Sequence, residues 1–257
     1  MFPDLFSIGP LTVHTYGLFV ALGFAAGIVV TVKLGKDRSI PAQQIMDMAF
    51  VMIFWAIVGS RLLYVLMNIS YFRDHPLDAL KIWQGGLVFS GGLLAVAPAM
   101  AWYLRRRPMS FLAAGDLWAP ALSLGQAVGR IGCFMAGCCY GKPTELPWGV
   151  VFTHPHSLAP PGVALHPTQL YSALAGFAIF AVLLFLYHRR KFQGQVFVWY
   201  LILHSNARLL MERFRADDRG FIPGTEMTLT QLVAFLILVA AVVALFLLKP
   251  GRNGKNT

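Results

Sequence analysis

The stretch T-L-T-Q-L-V-A-F-L-I-L-V-A-A-V-V-A-L-F-L-L, Thr228 to Leu248, decides the architecture. It contains no charged residue and is long enough to cross a bilayer core, which takes about 20 mostly apolar residues. Working back toward the N-terminus, six more segments read the same way, at roughly 14–33, 45–67, 86–104, 111–131, 167–187 and 194–211. The chain is 57% hydrophobic and 12% charged, against roughly 25% charged residues in an ordinary soluble domain. Seven spans and their connections consume the 257 residues. The expected fold is therefore an all-α integral membrane protein, one transmembrane domain over 1–257 with a bundle of about seven helices.

The opening M-F-P-D-L-F-S-I-G-P lacks the basic n-region of a cleavable signal peptide, so the first span is expected to be a helix of the mature protein. Basic residues set the orientation. Lys33, Lys36 and Arg38 follow the first span; Arg105, Arg106 and Arg107 follow the third. Arg189, Arg190 and Lys191 follow the fifth, and Lys249, Arg252 and Lys255 the seventh. These are twelve of the 21 Lys and Arg residues, all on one side. The positive-inside rule makes that side cytoplasmic, with the N-terminus outside and the C-terminus inside. The net charge of +10 then reflects topology and contact with anionic lipid, and no nucleic-acid partner is expected.

The remaining basic residues break the rule. Arg61, Arg130 and Arg208 come from the second, fourth and sixth spans, each toward its outer end, with Arg213, Arg215 and Arg219 just beyond Arg208. A single arginine there can snorkel into the headgroups. Three at one level point to a bound anion, and the anion at hand is a phospholipid phosphate, which suits the guanidinium fork. Glu212 lies one turn from Arg208 and can pair with it. His14, Tyr16, Ser90, His166, Gln169 and Tyr171 add polar groups at the same level. Loop 132–166 is long for a connector and reads as a lid or substrate-binding arm.

Cys133, Cys138 and Cys139 admit three readings: a disulfide, a metal site, or small soft residues packing a glycine-rich turn. C-x4-C-C is not a familiar zinc spacing, so packing is the expectation, with no metal and no cofactor. G-C-C-Y-G-K-P-T also fails as a phosphate loop, because only three residues separate its glycines.

Taken in order, these segments resemble the bacterial prolipoprotein diacylglyceryl transferases. They are S-I-G-P-L-T-V-H-T-Y-G-L from Ser7, G-S-R-L-L-Y-V-L from Gly59, W-Q-G-G-L-V-F-S-G-G from Trp83 and G-D-L-W-A-P from Gly115. G-R-I-G-C-F from Gly129, H-P-T-Q-L-Y from His166 and A-R-L-L-M-E-R-F-R from Ala207 complete the series, followed by Gln231. The resemblance implies transfer of the diacylglyceryl group of phosphatidylglycerol to the lipobox cysteine of a prolipoprotein signal peptide. A thioether forms and glycerol phosphate is released, at the outer face of the bacterial cytoplasmic membrane. It implies catalytic roles for Arg130, Arg208 and Tyr16. Phosphatidylglycerol would be bound by these arginines with Arg61, Ser90, Gly141, His166, Gln169, Glu212 and Arg215. Two departures stand out. Ser90 occupies a position that is histidine in many members, and Cys133, Ala136 and Cys138 replace polar residues. Catalysis is accordingly expected to be mostly electrostatic, with His14, Tyr16, Ser90 and His166 left open as proton acceptors. A lipid-binding protein or transporter that has lost the chemistry is the alternative. A retinal-type receptor is not, since 228–248 holds no lysine.

Overall fold

The computed structural model describes residues 2–8, 11–216 and 227–249. Gly9, Pro10, Arg219, Arg252 and Lys255, which entered the sequence reading, lie outside the described residues. Every one of the seven expected spans is a helix. They are α1 (Thr15–Lys36), α2 (Ala42–Met67), α4 (Phe89–Leu104), α5 (Phe111–Ala136), α6 (Thr168–Arg189), α7 (Gln195–Glu212) and α8 (Leu229–Leu248). A short helix, α3 (Ile69–Asp74), and two 3-10 turns lie between α2 and α4. Two small antiparallel hairpins, β1–β2 (Asp4–Ile8, Leu11–His14) and β3–β4 (Val150–Val151, Ala164–Leu165), complete the described elements.

By length and composition α1, α2, α6 and α8 can each cross a membrane, and α4 is a shorter apolar helix. Their outward faces are greasy: Phe50, Leu174, Phe246 and Leu247 are all more than two-thirds exposed. Such patches would drive association in water but cost nothing against hydrocarbon. The protein is a multi-pass helical membrane protein.

The chain divides into two compact units, 32–114 and 1–31 with 115–257. In the first, α2 and α4 pack along their length. Gly59 and Gly91 meet there so closely that a Cβ on Gly91 would clash with the Gly59 carbonyl oxygen. This small-residue contact lets two backbones approach without a hydrophobic driving force.

In the second unit α5 is the central strut. Gly23 of α1 approaches it so tightly that an added Cβ would lie 2.9 Å from the Gly125 carbonyl oxygen. On another side the Ser123 hydroxyl donates to the Gly176 carbonyl of α6 at 2.8 Å. Helix α7 packs between α6 and α8. Its start is organised by the fully buried Asp116, whose carboxylate accepts from the amides of Gly194 and Phe197 at 2.8 and 2.9 Å. Those amides are N-terminal donors that the helix cannot satisfy itself. The Arg190 guanidinium stands 3.5 Å from the same carboxylate. Asp116 is thus a helix organiser, and its place in an apolar span needs no ligand to explain it.

Candidate active site

Helix α7 carries Tyr200, His204, Arg208 and Glu212 at four-residue intervals, which puts all four on one face. Helix α5 answers with Gln126 and Arg130 at the same spacing. The Gln126 amide donates to the Tyr200 hydroxyl at 3.0 Å, and the Tyr200 and His204 rings stack with centroids 5.6 Å apart. His204 lies within electrostatic reach of both Arg130 and Arg208. The Gln126–Tyr200 contact thus sets the face of α5 that carries Arg130 against the face of α7 that carries Arg208.

Their surroundings differ. Arg208 forms an ion pair with Glu212 at 2.7 Å, with side chains only 14% and 7% exposed. The other Glu212 oxygen accepts from the Thr228 hydroxyl at 2.8 Å. Thr228 is the N-cap of α8 and forms a capping box with Gln231. Among the described residues no carboxylate or carbonyl takes an ion pair or hydrogen bond from Arg130, although it is half-buried. A cation in that setting is poised for an anion supplied from outside the protein.

Tyr16 opens α1 beside Gly132, within electrostatic reach of Arg130 and the three cysteines. Arg215, Gly141 and His166 are joined through their backbones. Gly141 bridges Arg215, the Lys142 amide donates to the Phe214 carbonyl at 2.8 Å, and the Gly141 amide to the His166 carbonyl at 3.0 Å. A Cβ on Gly141 would stand 2.6–2.7 Å from His166 and Phe214 atoms, so no larger residue fits between those chains. The His166 ring packs on Phe214 and lies 3.3 Å from the Tyr171 hydroxyl, which also accepts from the Trp148 indole at 2.8 Å.

Thr168 and Gln169 of the H-P-T-Q segment are buried and turned to the cysteine turn. The Gln169 amide donates to the Cys138 carbonyl and the Thr168 hydroxyl to the Cys139 carbonyl, both at 2.8 Å. Gln169 therefore shapes a loop in this structure. The three Sγ atoms of that turn lie within 4.8 Å of one another, and no disulfide joins them. Hydrogen bonding from Cys133 and Cys138, with the Arg215 charge nearby, holds the Cys139 thiol well below its ordinary range.

Arg61 and Ser90 belong to the other compact unit. Arg61 is buried and spends its guanidinium on backbone carbonyls: Asp78 at 2.6 Å, Ala79 at 2.9 Å, Gly85 at 2.8 Å and Gly86 at 3.2 Å. It also rests against the Tyr64 and Phe72 rings. The residue read as a phosphate ligand is here the pin of the α2–α4 connection. Ser90 is exposed in the first turn of α4. His14 and His156 each meet one oxygen of Asp4 at 2.7 Å, tying the N-terminal hairpin to the 132–166 loop.

Residues 3–247 match the family model for prolipoprotein diacylglyceryl transferase. The chain belongs to the prolipoprotein diacylglyceryl transferase family. A relative from Clostridium tetani, named phosphatidylglycerol–prolipoprotein diacylglyceryl transferase, is 35% identical over 256 residues, covering 100% of both chains. Proteins of the same name from Geobacter sulfurreducens and Bordetella avium are 35% identical over 239 residues and 32% identical over 261. These matches cover 91% and 99% of this chain, and 90% and 97% of theirs. Family membership covers the chain that carries both the α5–α7 polar face and the cysteine turn. Sequence reasoning missed His204, Tyr200 and Gln126. The signal was present in H-S-N-A-R-L-L-M-E, His204 to Glu212, where every fourth residue is ionisable. His204 was passed over because it lies inside an apolar-looking span.

Proposed function

We propose that this protein transfers the diacylglyceryl group of phosphatidylglycerol to the thiol of a lipobox cysteine in prolipoprotein signal peptides. It works as a single membrane-embedded domain of the bacterial cytoplasmic membrane, with its N-terminus and site toward the outer face and its C-terminus inside. The observation that carries the reading is Arg130. It is a half-buried guanidinium that pairs with no carboxylate among the described residues, on the helix whose Gln126 meets Tyr200 of α7, the helix that carries the carboxylate-anchored Arg208.

The chemistry explains the arrangement. A thiolate attacks the sp3 glyceryl carbon, the S–C bond forms, and the C–O bond to phosphate breaks with its electron pair moving to oxygen. Glycerol phosphate departs as an anion. Negative charge grows on the phosphate as the bond breaks, and preorganised cations are worth most where charge develops. Arg208, oriented by Glu212 and Thr228, offers a fixed fork, and Arg130 supplies the uncommitted charge. The same field favours thiolate over thiol in the incoming peptide. Tyr16, packed against Gly132 two residues beyond Arg130, would hydrogen-bond the leaving phosphate. His166, Gly141, Gln169 and Arg215 contribute to binding by forming or holding the walls.

The test is incubation of the purified protein with phosphatidylglycerol and a lipobox peptide, followed by mass spectrometry of the peptide. A gain of one diacylglyceryl group on cysteine, absent with a serine peptide, is expected. Lipid binding without peptide modification would overturn the reading in favour of a lipid-binding protein.

A further inference from the structure

We propose that Cys133, Cys138 and Cys139 form a three-thiolate site for a zinc-class divalent ion, whose open fourth position takes the thiol of the peptide substrate. The second half of this proposal rests on the transfer reaction above.

The backbone makes the cluster. Helix α5 ends with the Gly137 amide donating to the Phe134 carbonyl at 3.2 Å and the Cys138 amide to the Cys133 carbonyl at 3.1 Å, with Gly137 at φ 73°. That is a Schellman motif, which brings the residue three before the end of the helix against the second residue beyond it. Those two residues are Cys133 and Cys138. Cys139 then adopts φ 61°, rare for a residue with a side chain, and curls its sulfur back to the other two. The irregular C-x4-C-C spacing thus converges because a helix end, and no extended knuckle, supplies the geometry.

The sulfurs are already near coordination distance. Thiolates bound to zinc at about 2.3 Å stand roughly 3.8 Å apart, and these three lie within 4.8 Å of one another. The turn is held from behind by the buried Thr168 and Gln169 through the Cys139 and Cys138 carbonyls. Cys133 is buried, whereas Cys138 and Cys139 are half-buried, so the cluster is not sealed on every side. Three protein ligands with one open position is the arrangement of catalytic zinc. Thiolate ligands select soft ions. Three thiolates and a divalent ion leave one net negative charge, and Arg130 and Arg215 stand within electrostatic reach to offset it.

The site lies one helical turn from a group assigned to the phosphate, since Arg130 and Cys133 are three residues apart on α5. The peptide thiol would bind the ion and release its proton to solvent. Its sulfur lone pair would then form the S–C bond as the C–O bond breaks. The product thioether is neutral, a weak ligand, and leaves. No electron changes hands.

The experiment uses the full-length protein in detergent, reduced, stripped of metal and titrated with Co2+. We expect one ion per chain, with thiolate-to-cobalt charge-transfer absorption and tetrahedral ligand-field bands. Those bands should shift on adding a lipobox cysteine peptide and not its serine analogue, and Zn2+ should bleach them. Cys138→Ser and Cys139→Ser should each weaken the charge-transfer band. Transfer by the metal-stripped protein should fall roughly 10²-fold, the scale of a lost proton acceptor, and return with Zn2+. Absence of the charge-transfer band in the wild-type protein, or full transfer without metal, overturns the proposal. A normal cobalt titration with no transfer by the zinc-loaded protein would instead overturn the transfer reading and leave the metal site standing.

Discussion

Glu212 sits one helical turn beyond Arg208 and holds its guanidinium at 2.7 Å, while Thr228 from the start of α8 fixes the carboxylate's other oxygen at 2.8 Å. Three residues from two helices therefore aim one fork. Glu212→Ala removes the partner of a buried charge, which costs about 3–5 kcal/mol. The expected outcome is a lowered thermal midpoint in detergent and transfer reduced more than 10²-fold, about what a lost preorganised charge contact costs. Thr228→Ala should show a smaller loss of both, read by the same two assays.

In the proposed reaction Arg130 and Arg208 make separate contributions to one phosphate. Arg130→Ala should abolish transfer while leaving the thermal midpoint close to wild type, because among the described residues no carboxylate pairs with Arg130. Arg208→Ala should abolish transfer and lower the midpoint as well, since Glu212 is left buried and unpaired. Arg130→Lys should recover little, because a point charge does not replace a planar fork. Near-normal turnover in Arg130→Ala would remove the electrostatic mechanism.

Gly141 lies between the His166 and Phe214 chains with no room for a methyl group. Gly141→Ala should destabilise the protein by about 1–3 kcal/mol through overpacking. The Arg215 segment would be pushed from its place, and transfer should fall with it. A variant with unchanged midpoint and turnover would show that this threading is not needed.

In the 32–114 unit, Arg61 satisfies four backbone carbonyls between Asp78 and Gly86. Arg61→Ala leaves those acceptors without their donor, and the connection should open. Hydrogen exchange across residues 76–86 should rise sharply, and Arg61→Lys should protect only partly because it offers fewer, differently placed donors. Unchanged exchange would mean the pin is dispensable.

The Asp4 clip gives a pH dependence. Hydrogen bonds from His156 and then His14 hold the Asp4 carboxyl below its ordinary value of 3.8. A depressed folded-state value means that the stabilising contribution is present above the unfolded value and is lost as pH falls through the folded one. Hydrogen exchange in residues 4–14 should therefore increase as pH is lowered below about 4, after correction for intrinsic rates. Asp4→Asn should show the loosened hairpin at neutral pH already.

Apolar length made α1, α2, α6 and α8 legible, because a backbone in hydrocarbon must satisfy its own hydrogen bonds and helices are the way a single segment does so. Ends were legible to within a few residues: 228–248 was read and Leu229–Leu248 is found. The pairing of Arg208 with Glu212 was also readable, since a four-residue interval is a local property of a helix. What a residue does with its charge was not. Arg61 and Arg130 look alike in the sequence, yet one is spent on its own loop and the other meets no acceptor among the described residues. That difference depends on which carbonyls the fold brings near, from as far as 25 positions along the chain. The cysteines make the same point. Their spacing argued against a site, and only the reversal of the chain at the end of α5 gathers three sulfurs together, because side-chain convergence follows backbone geometry and not sequence interval.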